Sequence, residues 1–402
     1  MVNIKNYIDS LSSNFRQYLI ILICFFLNLV DGVDVLVMSY TAPVIVSNWG
    51  IASDTLGVVF SSGILGMAIG ALLLASYADK IGRKKIILIS IIIISIGVIL
   101  TGFSQNLYHL IIFRFFSGVG IGAMLATTVS LVSECSPTRS KDFWVSFVLS
   151  GYPAGAILSG YLSNIILANY SWEFVFFVFG NASLVFIPIV YLFISESLDF
   201  LDTNQNKTQN NLVLSLFSRA YFNKTIKLWM AFFFSFACLY FLISWIPNLV
   251  IESGSSLKLG IYSGTIFNLG AFFGIITQGY FSSKFGLKKT IFCFLFLTSA
   301  VMIQIDSFIG TNYMLIVFGI LGFSIQGGFV GLYSVAARIY PSEFKTTGVG
   351  WGIGAGRLGA VIGPLAAGIF IASGLEVSSV FLIFAICTLI SAVVTYFISI
   401  EK

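Results

Sequence analysis

The sequence alternates between long apolar runs and short polar segments. Twelve of the runs approach or exceed the roughly 20 apolar residues that a helix needs to cross a bilayer. The predicted spans are residues 18–46, 55–77, 86–104, 107–133, 143–167, 174–194, 226–250, 258–281, 290–309, 312–337, 346–372 and 379–399. This pattern predicts an all-α membrane protein with twelve transmembrane helices.

The longest polar stretch follows the sixth span and divides the chain into six spans plus six. Much of it consists of Asn, Gln, Asp, Thr and Ser, a composition typical of a linker. We therefore predict a first six-helix bundle over residues 1–194, a cytoplasmic linker over 195–225 and a second six-helix bundle over 226–402.

The two halves repeat each other at a fixed offset. A shift of 204 residues, without gaps, superimposes Pro43 on Pro247 and Pro137 on Pro341. The same shift superimposes six glycines on six others, namely Gly50, Gly66, Gly70, Gly82, Gly118 and Gly155 on Gly254, Gly270, Gly274, Gly286, Gly322 and Gly359. Repetition at one period indicates a duplicated structural unit. We predict two pseudo-symmetric bundles with a binding site near the membrane midplane between them.

Composition and charge narrow the class of protein. Of the 402 residues 58% are hydrophobic and 9% are charged, whereas a soluble domain carries about 25% charged residues. The net charge of +5 comes from basic residues in the loops, so it indicates orientation in a membrane and not a nucleic-acid partner. Their distribution places both termini in the cytoplasm.

The residue types that enzymes use are nearly absent. The chain has one histidine, and its five cysteines lack metal-ligand spacing. No Ser/His/Asp set and no phosphate-cradling loop occurs. We predict that the protein is not an enzyme and carries no cofactor.

Two carboxylates, Asp31 and Asp34, lie inside the first span. A charged side chain at the centre of a bilayer costs about 2.5–3.5 kcal/mol, and such residues usually line an ion or proton path. Their i, i+3 spacing puts them on one helical face with Asn28 and Thr41. We predict that one of them carries a coupled proton. A local Asx-type interaction in a kinked helix is the alternative.

The fourth span carries a buried cation that needs an anionic partner. Arg114 opens a segment with glycines at 118, 120 and 122, which let a neighbouring helix approach closely. We predict that Arg114 pairs with Asp31 or Asp34, either as part of proton coupling or as a static structural pair. The 204-residue shift aligns these three residues with Ser235, Cys238 and Phe318, so the second half has no copy of the charges.

Arg357 is the membrane charge of the second half, and it lies in a glycine-rich helix. Because a guanidinium holds a carboxylate through two parallel hydrogen bonds, Arg357 is the principal candidate for binding an anionic substrate. A structural lock between helices is the alternative. The other candidate substrate-binding residues are Asn28, Tyr240, Trp245 and Gln326.

The loop between the second and third spans resembles the signature loop of the major facilitator superfamily, Gly-x-Leu-Ala-Asp-Arg-x-Gly-Arg-Arg/Lys. The matching run here is Ala75-Ser-Tyr-Ala-Asp79-Lys80-Ile-Gly82-Arg83-Lys84-Lys85, in which Ala75 replaces the first glycine. The resemblance implies the fold of that superfamily. We assign a conformational switch to Asp79, Gly82 and Arg83, together with Glu134 and Arg139 after the fourth span.

A narrower resemblance points to the aromatic acid:proton symporters and their metabolite:proton relatives. Asp31-Gly-Val-Asp34 is similar to the Asp-Gly-Phe-Asp of that family, and the run from Tyr340 to Trp351 is similar as well. Val33 and the segment 123–126 depart from the family pattern. The resemblance implies a proton-coupled, alternating-access importer of a small organic acid, with an aromatic acid as the finer expectation.

Two rival functions stay open at this point. A proton-driven exporter of a drug or siderophore usually carries Gly-Pro-x-x-Gly-Gly in the fifth span, where this chain has Gly151-Tyr-Pro-Ala-Gly155-Ala. A transporter-like sensor is the other rival. For the importer, the predicted partners are an organic anion, protons and the lipid bilayer, with no nucleic acid. The predicted state is a monomer in a bacterial inner membrane.

Overall fold

The structure is a computed structural model that describes residues 13–136, 141–194, 216–308, 311, 313–340 and 345–399. Within these ranges the chain is almost entirely α-helical. The helices are α1 (Ser13–Trp49), α2 (Ser53–Ile81), α3 (Arg83–Gly102), α4 (Leu107–Cys135), α5 (Lys141–Leu149), α6 (Gly151–Leu167), α7 (Trp172–Leu184), α8 (Phe186–Phe193), α9 (Phe222–Glu252), α10 (Leu257–Phe285), α11 (Leu287–Ile303), α12 (Met314–Ile339), α13 (Lys345–Ala372) and α14 (Val377–Tyr396). A short 3₁₀ turn, Ile305–Ser307, follows α11.

Ten stretches of the described chain are helical, long enough and apolar enough to cross a membrane. The helices α7 and α8 together make one of them, Trp172–Phe193. The two predicted spans outside this set are 143–167, which is divided between α5 and α6, and 290–309, where α11 has 17 residues. The predicted all-α membrane fold is confirmed.

Two of the helix breaks have the same cause. Proline has no backbone N–H and so cannot donate to the carbonyl four residues earlier. Pro153 withholds a hydrogen bond from Leu149, where α5 ends, and Pro188 withholds one from Leu184, where α7 ends. The apolar pattern predicts one uninterrupted span in each of these regions, and the structure shows an interruption of one residue in each.

The chain divides into two compact units. Unit 1 comprises Met1–Thr41 and Ser62–Lys207, and unit 2 comprises Ala42–Ser61 and Thr208–Lys402. The end of α1 and the start of α2 thus belong to unit 2, where the Ser61 hydroxyl donates to the Val361 carbonyl at 2.7 Å. The linker boundary at 195–225 stays a prediction, because most of those residues lie outside the described ranges.

The helix contacts within each unit follow the 204-residue repeat. A Cβ atom on Gly155 would lie 2.0 Å from the Leu29 carbonyl oxygen, and one on Gly359 would lie 2.0 Å from that of Phe233. Three further close contacts between a glycine and a neighbouring backbone carbonyl recur at the same offset. In unit 1 they are Gly66/Phe115, Gly70/Val119 and Gly118/Gly63, and in unit 2 they are Gly270/Gly319, Gly274/Phe323 and Gly322/Phe267. Backbones that approach this closely require glycine at each contact.

Two lysines that correspond under the 204-residue shift, Lys84 after Gly82 and Lys288 after Gly286, each bind near the end of a helix in their own unit. The Lys84 ammonium donates to the Tyr191 carbonyl at 2.7 Å and lies 5.3 Å from the centre of the Tyr191 ring. In unit 2, Lys288 donates to the Ile398 carbonyl at 2.9 Å and lies 5.8 Å from the Tyr396 ring centre. Cations favour helix C-termini because the last carbonyls lack intrahelical donors.

We expect Gly359→Ala to destabilise the protein, because even a methyl group would overlap the Phe233 carbonyl. Forcing a group into a packed contact typically costs about 1–3 kcal/mol. Gly354→Ala in the same helix is the matched control, since nothing lies within 4 Å of a Cβ there, and alanine favours a helix over glycine. Thermal unfolding in detergent measures both, and equal melting temperatures for the two variants would contradict the close packing.

Candidate functional site

The buried charge of unit 1 is an ion pair between α1 and α4. Arg114 Nη1 lies 2.7 Å from Asp34 Oδ1, and Nη2 lies 3.3 Å from Oδ2. The guanidinium thus meets the carboxylate through two roughly parallel hydrogen bonds, the strong geometry for this pair. The side chains of Arg114 and Asp34 are only 6% and 2% exposed. The structure pairs Arg114 with Asp34, one of the two acids that the sequence analysis left open.

Additional hydrogen bonds hold the pair in place. Arg114 Nη2 also donates to the backbone carbonyl of Asp34 at 3.0 Å. The Ser117 hydroxyl lies 3.4 Å from Asp34 Oδ2 and 3.1 Å from the Arg114 carbonyl. Ser117 was missed by the sequence analysis, although its position one helical turn after Arg114 was a signal that could have identified it.

Asp31 and Asn28 lie on the same helix as Asp34, three and six residues before it. Both are buried in α1, at 1% and 2% exposure. The glycine at position 32 lets the helix α6 approach, because a Cβ there would lie 2.0 Å from the Tyr152 carbonyl oxygen. Unit 1 therefore buries two carboxylates and an amide on a helix that is tightly packed against α6.

In unit 2 the Arg357 side chain lies among aromatic rings. Its Nη1 donates to the Tyr240 hydroxyl at 3.0 Å, and its guanidinium carbon lies 5.6 Å from the centre of the Phe236 ring. The Phe236 ring also contacts Phe329 edge to face, at a centroid distance of 4.6 Å. We call Phe236, Tyr240, Phe329, Tyr333 and Arg357 the Arg357 cluster.

The helix α12 contributes one face to this cluster. Phe329 and Tyr333 contact each other with ring centroids 5.4 Å apart. Gln326 precedes them by three and seven residues, so it lies on the same face of α12. It is 5% exposed and makes no hydrogen bond to another described residue. Gln326 was predicted as a substrate-binding residue from the sequence, whereas Phe236, Phe329 and Tyr333 were not.

Trp245 is engaged in packing within unit 2. Its ring is fully buried, its indole N–H donates to the Pro364 carbonyl at 3.1 Å, and Phe60 meets it edge to face. A substrate ring would have to displace these contacts to stack on Trp245. Of the two aromatic residues predicted to contact substrate, the geometry favours Tyr240, and the role of both stays a prediction.

The signature loop requires glycine at its sharpest point. Gly82 has φ +104°, and the equivalent Gly286 has φ +91°, a region that L side chains rarely adopt. Arg83 begins α3 and is partly buried. The side chains of Asp79 and Glu134, and all of Arg139, fall outside the described part of the chain, so their predicted switch role stays a prediction.

The counterparts of the unit 1 charges serve helix packing in unit 2. Ser235, which corresponds to Asp31, hydrogen-bonds the Ser391 hydroxyl at 2.7 Å. Cys238, which corresponds to Asp34, lies 3.6 Å from the Met302 sulfur. Phe318, the counterpart of Arg114, is 1% exposed. The scaffold is repeated and the charged chemistry is not.

Among the described residues, no group of three or more His, Cys, Asp or Glu side chains could hold a metal ion. The buried charged groups described above form two different arrangements. Unit 1 offers a buried carboxylate held by a guanidinium, and unit 2 offers a guanidinium held by a phenol among aromatic rings. The first arrangement can hold or release a proton, and the second can bind an anion.

The family profile of the Major Facilitator Superfamily matches residues 24–278 and 262–402 of the chain. The chain belongs to this superfamily. This confirms the resemblance carried by the signature loop and the repeat. A solved structure of a D-xylose-proton symporter has the same fold, with a TM-score of 0.79, 16% identity and coverage of 94% of this chain and 97% of that one.

Two curated relatives of this superfamily member are aromatic acid transporters by name. The gallate transporter of Pseudomonas putida is 28% identical over 94% of this chain and 91% of its own length. The 3-(3-hydroxy-phenyl)propionate transporter of Escherichia coli (strain K12) is 31% identical, over 90% of this chain and 89% of its own length. The predictions of an integral membrane transporter, and of a protein that is not an enzyme, are thereby confirmed.

We expect Asp34→Asn to destabilise the folded protein more than Asp31→Asn does. The first change leaves the buried Arg114 without its counter-charge, and breaking a buried pair from one side typically costs about 3–5 kcal/mol. The second change leaves the pair intact. Thermal unfolding in detergent compares the two variants.

A further substitution, Arg114→Gln, removes the unpaired charge from the Asp34→Asn variant and should restore part of the lost stability. If Asp31→Asn is the more damaging change, or if the double variant is less stable than Asp34→Asn alone, the pair does not hold the two helices together.

Proposed function

We propose that this protein imports a small aromatic carboxylic acid together with protons, by alternating access. The observation that carries the proton coupling is the buried Asp34–Arg114 pair, with Asp31 buried one helical turn away. The names of the relatives support the substrate class. An acid in an apolar span is costly, and those that occur there usually mark an ion or proton path.

The ion pair supplies a way to link protonation to a change of conformation. While Arg114 contacts Asp34, the two opposite charges offset each other inside the apolar span. A movement of α4 against α1 that withdrew the guanidinium would leave a buried carboxylate without a partner, and the neutral, protonated form would then be favoured. Proton uptake and helix movement would thus accompany each other, and Asp31 offers a second acid on the same helix.

The Arg357 cluster has the chemistry to hold an aromatic acid. A guanidinium carries five N–H donors and can present two of them in parallel to a carboxylate. The rings of Phe236 and Tyr240 lie roughly parallel, with centroids 6.0 Å apart, and aromatic pairs of this kind contribute beyond the area they bury. A benzoate-like ligand matches both features, because its carboxylate suits the guanidinium and its ring suits the aromatic pair.

We expect that Asn at position 31 or 34 abolishes uphill accumulation of 4-hydroxybenzoate driven by a pH gradient, because an amide cannot carry the proton. Exchange of labelled for unlabelled substrate at equal concentrations should persist, since it needs no net proton movement. Asp54→Asn is the control, because Asp54 is exposed at the start of α2 and bonds only to the neighbouring Thr55.

The measurement is uptake into right-side-out and inverted vesicles. Accumulation by both single variants would place the coupling group elsewhere. Accumulation that occurs only in inverted vesicles with an acid interior would instead identify a proton-driven exporter.

We expect Arg357→Ala to weaken binding of benzoate-type acids by about 2–5 kcal/mol, the usual cost of removing one partner from a buried charged contact. Arg357→Lys should recover only part, because an ammonium cannot reproduce the planar two-point contact. The control is Arg219→Ala, which removes an exposed arginine. Equilibrium binding to purified protein is the measurement, with benzamide as an uncharged analogue. If Arg357→Ala weakens benzoate and benzamide equally, Arg357 serves packing and not the carboxylate.

A further inference from the structure

The side chain of Asn28 is buried without a hydrogen-bond partner in the described structure. It is 2% exposed, and neither its amide nitrogen Nδ2 nor its oxygen Oδ1 is bonded. A buried polar group left unpaired costs about 1–3 kcal/mol. Such groups are few in native proteins, and each calls for a reason such as a ligand or a bound water.

Three other buried amides of the described chain donate a hydrogen bond. The amide nitrogen of Asn248 donates to Glu252 at 2.7 Å, and that of Asn268 donates to the Gly264 carbonyl at 2.9 Å. Gln278 donates to the Ser282 hydroxyl at 2.8 Å. Asn28 differs from these three amides, because its donor and its acceptor are both buried and neither is bonded.

Asn28 packs against the helix α6. The adjoining residue of α6 is Gly151, which has no side chain to offer a partner. A Cβ atom there would lie 3.2 Å from the Asn28 Cβ and 2.4 Å from the Phe25 carbonyl oxygen, so a larger residue does not fit. Asn28 is also one helical turn from Asp31, on the helix that carries the ion pair.

We propose that Asn28 is a specificity residue that hydrogen-bonds a hydroxyl group on the aromatic ring of the substrate. A side-chain amide offers one acceptor and two donors, and a phenolic hydroxyl both donates and accepts. A carboxylate only accepts, so it would leave the amide oxygen unpaired. The matching class of substrate is a hydroxylated aromatic acid. This inference rests on the proposed function and goes beyond it by naming a substituent and the residue that recognises it.

The test compares uptake of 4-hydroxybenzoate and benzoate by wild-type protein and by Asn28→Leu. Leucine is similar in size and removes the unpaired amide, so the variant should fold at least as well as the wild type. We expect the ratio of kcat/KM for 4-hydroxybenzoate to that for benzoate to fall roughly tenfold, the effect of losing one good hydrogen bond. The ratio tests the hydroxyl contact, because a change that affects both acids equally leaves it unaltered.

The control is Thr128→Val, which also removes a buried polar group. The Thr128 hydroxyl is satisfied inside its own helix by the carbonyls of Met124 and Leu125, at 2.8 and 3.0 Å. This change should leave the ratio of the two substrates unaltered. Asn28→Ser is a second, smaller variant that should lower the ratio in the same direction if the leucine variant does not fold.

The outcomes separate the inference from the proposed function. If the wild type accumulates both acids and the Asn28 variants leave their ratio unchanged, the amide does not contact a ring hydroxyl, and the inference alone fails. If the ratio falls equally in Thr128→Val, the effect is not specific to Asn28 and the inference fails as well. A wild-type protein that accumulates neither acid overturns the proposed function, and this inference with it.

Discussion

The interaction on which the chemistry of unit 1 depends is the buried contact between Asp34 and Arg114. Each of these charges alone would be costly inside an apolar span, and together they are tolerated because the guanidinium and the carboxylate meet through parallel hydrogen bonds. The contact joins α1 to α4. If the two helices separate, both charges are left unpaired unless one of them is neutralised. A proton bound to the carboxylate neutralises it.

The glycine contacts explain how the same scaffold serves two different units. Gly155 against Leu29 and Gly359 against Phe233 are equivalent backbone contacts within their own units. They fix the helices through main-chain proximity, which does not depend on the side chains placed elsewhere along each helix. The scaffold of the second unit therefore tolerates Ser235 and Cys238 at the positions equivalent to Asp31 and Asp34. The repeat conserves the packing and leaves the chemistry of each unit free to differ.

The sequence by itself determined the all-α membrane fold, the duplication and the family. A span is recognised by the length of its apolar run, and a repeat by the spacing of its glycines and prolines, so both are local properties that need no knowledge of neighbours. The same holds for the turn at Gly82, because a sharp loop between two spans needs a residue that tolerates φ +104°. The helix interruptions before Pro153 and Pro188 were also local, and they were missed because hydropathy does not register a single lost hydrogen bond.

Only the tertiary structure decided which partner each functional side chain has. Asp31 and Asp34 are three residues apart and lie on the same helical face, so helical periodicity alone does not predict which of them pairs with Arg114. The packing of α1 against α4 places Asp34 in contact with Arg114. Trp245 reads as a stacking residue until its indole is seen donating to Pro364. The unbonded amide of Asn28 could not be predicted either, because the sequence does not show which groups lie within hydrogen-bonding distance of it. Hydrogen bonds between helices are set by distance and orientation in space, and one sequence read along its length records neither.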